Sequence, residues 1–129
     1  MGLRIVLGMA CALGLWAQEL EMTTYFMAFL RRPADAPSLT KEQGEKLQAA
    51  HMAHIKKMAD SGKLLLAGPF MDDTPLRGIL VFKTATMEEA KALAAQDPAV
   101  KAGRLVLEWH PWYSAKNIMV VQDSKGEKK

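Results

Sequence analysis

The segment HMAH, residues 51–54, sets two imidazoles three positions apart, and three positions on a helix put two side chains on one face. Imidazole is the side chain whose ordinary titration lies near neutrality, so such a pair points to proton transfer, metal ligation or packing. Proton transfer needs one histidine and a carboxylate that orients it. A metal needs a third ligand, and the supply is thin: His110 is the only other histidine and Cys11 the only cysteine. No metal or other cofactor is therefore expected. Helical periodicity groups Leu47, Ala50, His51, His54, Ile55 and Met58 in one stripe, with Ala53, Lys56 and Lys57 opposite. Both imidazoles should thus face a sheet or its edge, where a hydrogen-bonded packing role competes with chemistry.

Other residues that could touch a ligand are scattered. Asp72 and Asp73 fall in a turn where solvent is an equally good partner. Arg31 and Arg32 leave a strand together and could hold a carboxylate or phenolate through charge-assisted bonds. Trp109, Trp112 and Tyr113 could wall an aromatic pocket or simply pack. Phosphate-binding glycine loops, a nucleophile elbow and dinucleotide fingerprints are all missing from the sequence.

The elements that must position these residues follow from local signals. The apolar run TTYFMAFL (23–30) reads as a strand, ended by the proline-rich loop RRPADAPSL. Thr40 and Gln43 form a capping box that opens a long helix; Gly44 weakens its first turn and Gly62 closes it. KLLLAG (63–68) and RGILVFK (77–83) are two strands of a hairpin, and Thr86 with Glu89 predicts a second capping box for the helix TMEEAKALAAQ. Asp97 caps a short helical turn that starts at Pro98 and stops at Gly103. RLVLEWHPW (104–112) is the final strand, with Leu105, Leu107 and Trp109 on one face and Val106, Glu108 and His110 on the other. The order β-α-β-β-α-β predicts an α+β protein of ferredoxin-like topology, an antiparallel sheet with its helices on one face.

Three strands of that sheet, TTYFMAFL, KLLLAG and GILVF, are apolar on both sides, where a sheet with one wet face should alternate. A second copy of the chain is the economical cover, so a homodimer is expected. The 129 residues make one domain; half are hydrophobic and 24% charged, as in ordinary globular proteins. The net charge of +3 is spread without a basic run, which argues against nucleic acid. Residues 1–17 join a basic start to an apolar run and end at Ala17, the pattern of an export signal rather than a membrane span. Cleavage there would remove Cys11 and leave a secreted or periplasmic protein without thiol chemistry and without a membrane anchor. The domain then runs over 18–116, followed by an extension at 117–129 that contains a further strand candidate, NIMVVQ (117–122).

The stretch from HMAH through AGPF to EEA, Asp97-Pro98, Gly103 and the closing Pro111-Trp112 resembles the YCII-related family. The resemblance implies a dimeric α+β barrel and a histidine–aspartate pair suspected of catalysis. Carried onto this chain, the histidine is His51, 17 residues before Gly68, and the aspartate is Asp97. Related barrels include small-molecule isomerases and a dehydrochlorinase of a chlorinated aromatic. An export signal and a tail strand depart from the family pattern. The reading that results is a cofactor-independent lyase or isomerase in which His51 moves a proton and Asp97 orients it. His54, Asp72, Arg31 and Trp109 are the further candidates for substrate contact. The rivals are a non-catalytic module that binds small ligands and a purely structural dimer.

Overall fold

The computed structural model describes residues 21–116. The export-signal reading of 1–17 and the strand candidate at 117–122 lie outside the described residues. Seven elements follow one another: β1 (Met22–Arg31), α1 (Lys41–Asp60), β2 (Leu64–Pro69), β3 (Leu76–Phe82), α2 (Met87–Ala94), α3 (Pro98–Lys101) and β4 (Val106–Ala115). The strands form one antiparallel sheet in the order β2-β3-β1-β4, which is the ferredoxin-like arrangement the element order predicts.

Local signals set the helix ends. Thr40 and Gln43 complete the capping box in both directions, each side chain meeting the other's backbone N–H. Gly62 follows α1 at φ +75°, a left-handed conformation that suits a residue without Cβ. The box predicted for α2 is only half built. Thr86 accepts from the Glu89 backbone N–H, but the Glu89 carboxylate bonds Lys63 Nζ at 2.5 Å and the Ala85 N–H instead of reaching back to Thr86. A cation arriving from the start of β2 outcompetes the neutral amide.

The helix-covered face of the sheet holds the core: Ala28 and Leu30 of β1, Leu64 of β2, and Leu80 and Phe82 of β3. Met58 of α1 and Ala90 and Ala94 of α2 close over them, and the two alanines, four apart, let α2 lie close. Each large apolar side chain buried here contributes about 1.5–3 kcal/mol. Trp109 and Leu107 of β4, with Leu105 just before it, pack against the same cluster, Trp109 with its ring 5.6 Å from that of Phe82. In the stripe predicted for α1, Met58 is buried and Leu47, His51, His54 and Ile55 half-buried, whereas Ala50 is exposed.

The opposite face carries Met27, Val81 and Leu66 in one row across three strands, and Phe29 beside Ile79. β2 departs from regular pairing between Leu64 and Leu66, so its leucine run reflects an irregular edge as well as a two-sided sheet. At the β4 edge of this face the apolar pattern gives way to Glu108, which accepts from Arg31 Nε at 2.8 Å and from His110 Nε2 at 2.9 Å. The His110 and Arg31 bonds, in that order, hold the Glu108 carboxyl below the usual range. None of the helices among the described residues is long and apolar enough to cross a membrane.

Candidate functional site

Asp97 is the one charged residue buried among the described residues, 2% exposed, and its burial requires partners for both oxygens. It has them. As the cap of α3, Asp97 Oδ1 accepts from the Ala99 backbone N–H at 2.9 Å. Its Oδ2 lies 2.6 Å from His51 Nδ1 on α1, 46 residues away in sequence. The cap role and the histidine contact are therefore held by one carboxylate at once.

The local sequence explains how Asp97 is presented so rigidly. Pro98 starts α3 with its backbone angle fixed in advance, and Gly103, at φ +71°, ends it. The Ala99 carbonyl is tied to the backbone N–H groups of Arg104 and Leu105, which joins the turn to β4. α3 in turn packs on α1, bringing the carboxylate to the imidazole.

An ionised carboxylate only accepts hydrogen bonds, so His51 carries a proton on Nδ1, and in the neutral ring Nε2 is the nitrogen with the lone pair. The His51 side chain is 14% exposed and lines a cavity of about 360 Å³ between α1, the β2–β3 hairpin and the Arg104–Leu105 segment. Most of the wall is apolar, with Leu30, Leu47, Ile55 and Leu105 among its members. Its floor is backbone, because Gly68, Pro69 and Gly78 bring two strands close together. A Cβ on Gly78 would lie 2.5 Å from the Gly68 carbonyl oxygen, so only glycine fits there.

One turn along the helix, His54 is spent differently. Its Nε2 lies 2.9 Å from the Leu93 carbonyl oxygen, an acceptor, so this histidine is protonated at Nε2 and ties α1 to the end of α2. It is not among the residues that line the cavity. No cluster of three or more His, Cys, Asp or Glu side chains forms among the described residues.

The remaining candidates disperse. Arg31 turns to the other face of the sheet and pairs with Glu108, while its neighbour Arg32 lines the cavity. Asp72 sits in the exposed turn before β3, where its backbone oxygen receives Arg77 Nη1 at 3.1 Å. Trp109 packs in the core and Trp112 against Tyr25, whose hydroxyl bonds the Ala115 and Lys116 carbonyls. Two charged cavity residues went unnoticed in the sequence: Arg77 and Arg104. Neither belongs to a motif, and only the fold brings them to the same wall system as His51.

The family model of the YCII-related domain matches residues 25–111. The chain belongs to the YCII-related family. The match spans β1 to β4 and includes His51 and Asp97, so the site lies wholly inside the family's domain. Among curated proteins no relative matches the sequence. Among solved structures the chain is similar to the 5-chloro-2-hydroxyhydroquinone dehydrochlorinase of Burkholderia phenoliruptrix, determined in complex with 2,5-dihydroxybenzoquinone. The TM-score is 0.51 and the identity 20%, over 68% of this chain and 92% of that one. A likeness at this identity speaks for a common YCII fold.

Proposed function

We propose that this protein is a small-molecule enzyme, a cofactor-independent lyase or isomerase in which His51 Nε2 takes a proton from a substrate seated in the cavity. The observation that carries the reading is the double engagement of Asp97, one oxygen on the Ala99 N–H and the other on His51 Nδ1. It fixes the tautomer and the ring orientation, and it leaves a carboxylate beside the imidazolium that forms on proton transfer. In an isomerisation the proton returns at another position. In an elimination the released electron pair forms a double bond, the leaving group departs with its own pair, and the proton on His51 passes to solvent. The dehydrochlorinase activity of the structural neighbour is a reaction of this second kind, and the neighbour's fold makes it a fair guide to which compounds to screen.

The same reading includes a second copy of the chain. Leu66 and Val106, 46% and 47% exposed, flank a sheet face that also carries Met27, Phe29 and Ile79, and a partner sheet would remove this apolar surface from water. Light scattering at micromolar concentration is expected to give a dimer; a stable monomer would remove the barrel from the proposal. Export belongs to the proposal as well, and protein recovered from its host is then expected to begin near Gln18.

The test of the catalytic reading is a screen of small aromatic and carbonyl compounds for turnover, followed by His51→Gln. The variant is expected to lose a hundredfold or more in rate and to keep the fold and ligand affinity. Compounds that bind but are never converted would make the protein a receptor, the alternative that shares this cavity.

A further inference from the structure

The charged side chains around the cavity have one sign. Arg32, Arg77 and Arg104 line it, and among the described residues no aspartate or glutamate does. The buried carboxylate next to His51, Asp97, spends its hydrogen bonds on His51 and the Ala99 N–H and bonds none of the three guanidinium groups.

The arginines are also poorly matched to anions of the protein itself. Arg77 is half-buried, with its side chain 26% exposed, and its Nη1 donates to two neutral backbone carbonyls, Asp72 O at 3.1 Å and Thr74 O at 2.9 Å. The nearest carboxylate, that of Asp73, is fully exposed and 3.9 Å away, too far for a hydrogen bond. Arg104 donates Nη1 to the Pro37 carbonyl at 2.6 Å and has no carboxylate partner among the described residues. The Arg32 side chain has no hydrogen-bond partner among the described residues; only its backbone N–H is engaged, by Pro75. Arg31, the adjacent arginine on the other face, shows the contrast by pairing directly with Glu108.

A guanidinium carries five donors in a planar fork. Carbonyl contacts at one nitrogen hold Arg77 and Arg104 in place and leave the remaining donors for a ligand, so little ordering is needed on binding. We infer that the cavity takes a small organic anion, with a delocalised pair of oxygens (a carboxylate, or a phenolate or enolate) received by Arg32, Arg77 and Arg104 and an apolar body lying on Leu30, Ile55 and Leu105. This rests on the proposed function in that it names the substrate class of the same site. The two fit chemically: proton removal by His51 adds negative charge to the substrate, and cations around the cavity, two of them held by backbone carbonyls, stabilise charge that develops there.

The experiment titrates the full chain, by NMR shifts of the cavity residues, with matched probes: benzoate against benzamide, and 4-nitrophenolate against 4-nitroanisole. The anionic member of at least one pair is expected to bind tenfold or more tightly than its neutral partner, less so as salt is raised. Preference within the benzoate pair alone selects a carboxylate; preference within the nitrophenol pair selects a phenolate or enolate. Arg32→Gln and Arg77→Gln are expected to lower anion affinity at least tenfold each, and Arg77→Lys to recover part of it through charge without the fork. Arg32→Gln breaks no side-chain bond within the described residues, so it answers even where Arg77→Gln unfolds the 72–74 turn. Neutral probes binding as tightly as anions, anion affinity unmoved in the arginine variants, or no saturable shift with either anion would each overturn the inference. His51→Gln separates the two readings. Anion binding that persists while turnover never depended on His51 removes the proton-transfer reading alone. Turnover that needs His51 but shows no charge preference removes this inference alone.

Discussion

His51 and His54 stand one turn apart on the same face of α1, equally half-buried, and the structure gives them different partners. His51 meets a carboxylate that is itself pinned by a helix cap; His54 meets the end of a helix through a backbone carbonyl. The two contacts leave opposite nitrogens protonated. At His51 the unprotonated nitrogen remains and the ring lines a cavity, while at His54 the bonded nitrogen is the only one with a partner and the ring serves as a strut between α1 and α2. Residue type and periodicity are the same for both, so the role of each histidine is decided by what the rest of the fold brings to it.

The largest expected effect that could break this contrast comes from Asp97→Asn. The amide oxygen can keep the Ala99 N–H, so the cap and the fold should survive, but the amide nitrogen would then face His51 Nδ1 as a donor. His51 would be driven to the other tautomer, its Nε2 protonated and unable to accept. Turnover on any substrate found by screening should fall a hundredfold or more, with the melting temperature changed by only a few degrees. A full-rate Asp97→Asn enzyme would leave Asp97 as a cap and nothing more.

His54→Ala should do the reverse. It removes a part-buried donor and the packing around it, at a cost of about 1–3 kcal/mol. In a domain of this size that lowers the melting temperature by roughly 5–15 °C. The rate per folded molecule should change little. An effect on rate as large as that of His51→Gln would erase the distinction between the two.

Gly44 sharpens the comparison with a smaller effect. It lies in the first turn of α1 on the cavity side, and a Cβ there would meet nothing within 4 Å. Gly44→Ala should therefore stabilise the helix by about 0.5–1 kcal/mol, seen as a raised melting temperature, while projecting a methyl toward the cavity mouth. Weaker ligand binding together with higher stability would tie the glycine to access on the His51 side. Gly78, in contrast, has no such freedom, because its Cβ would strike backbone.

The smallest effect belongs to the His54 side, where Lys63 and Glu89 join β2 to α2. The Lys63 hydrogen bond, chiefly, holds the Glu89 carboxyl below the usual range. A carboxyl lowered in the folded state adds stability that is present above its ordinary pKa and is lost as pH falls through the folded value. The melting temperature of the wild type should accordingly fall slightly more steeply in acid than that of Glu89→Gln, and the two should differ least at the most acidic point.

What was legible in the sequence was local. Thr40, Gly62, Asp97-Pro98 and Gly103 mark helix ends through bonds a few residues long, and the structure has them where the residues imply. Glu89 shows where such reasoning stops: its spacing from Thr86 suits a capping box, but Lys63, distant in sequence, takes the carboxylate. The pairing of His51 with Asp97 spans two elements and follows from no spacing rule; only the resemblance to the YCII-related family named both residues in advance. Arg31 and Arg32 could have been separated, since neighbours on a strand face opposite sides. Arg77 and Arg104 could not, because a lone arginine carries no signal of the wall it will join.

The most direct test of the account needs no substrate. In 15N-labelled protein, imidazole nitrogen shifts at a pH where both rings are neutral report which nitrogen carries the proton. The account predicts His51 with its proton on Nδ1 and His54 with its proton on Nε2, and a change of His51 to the Nε2–H form in Asp97→Asn. His51 found in the Nε2–H form in the wild type, like His54, would contradict it, because the nitrogen facing the cavity would then hold no lone pair with which to take a proton.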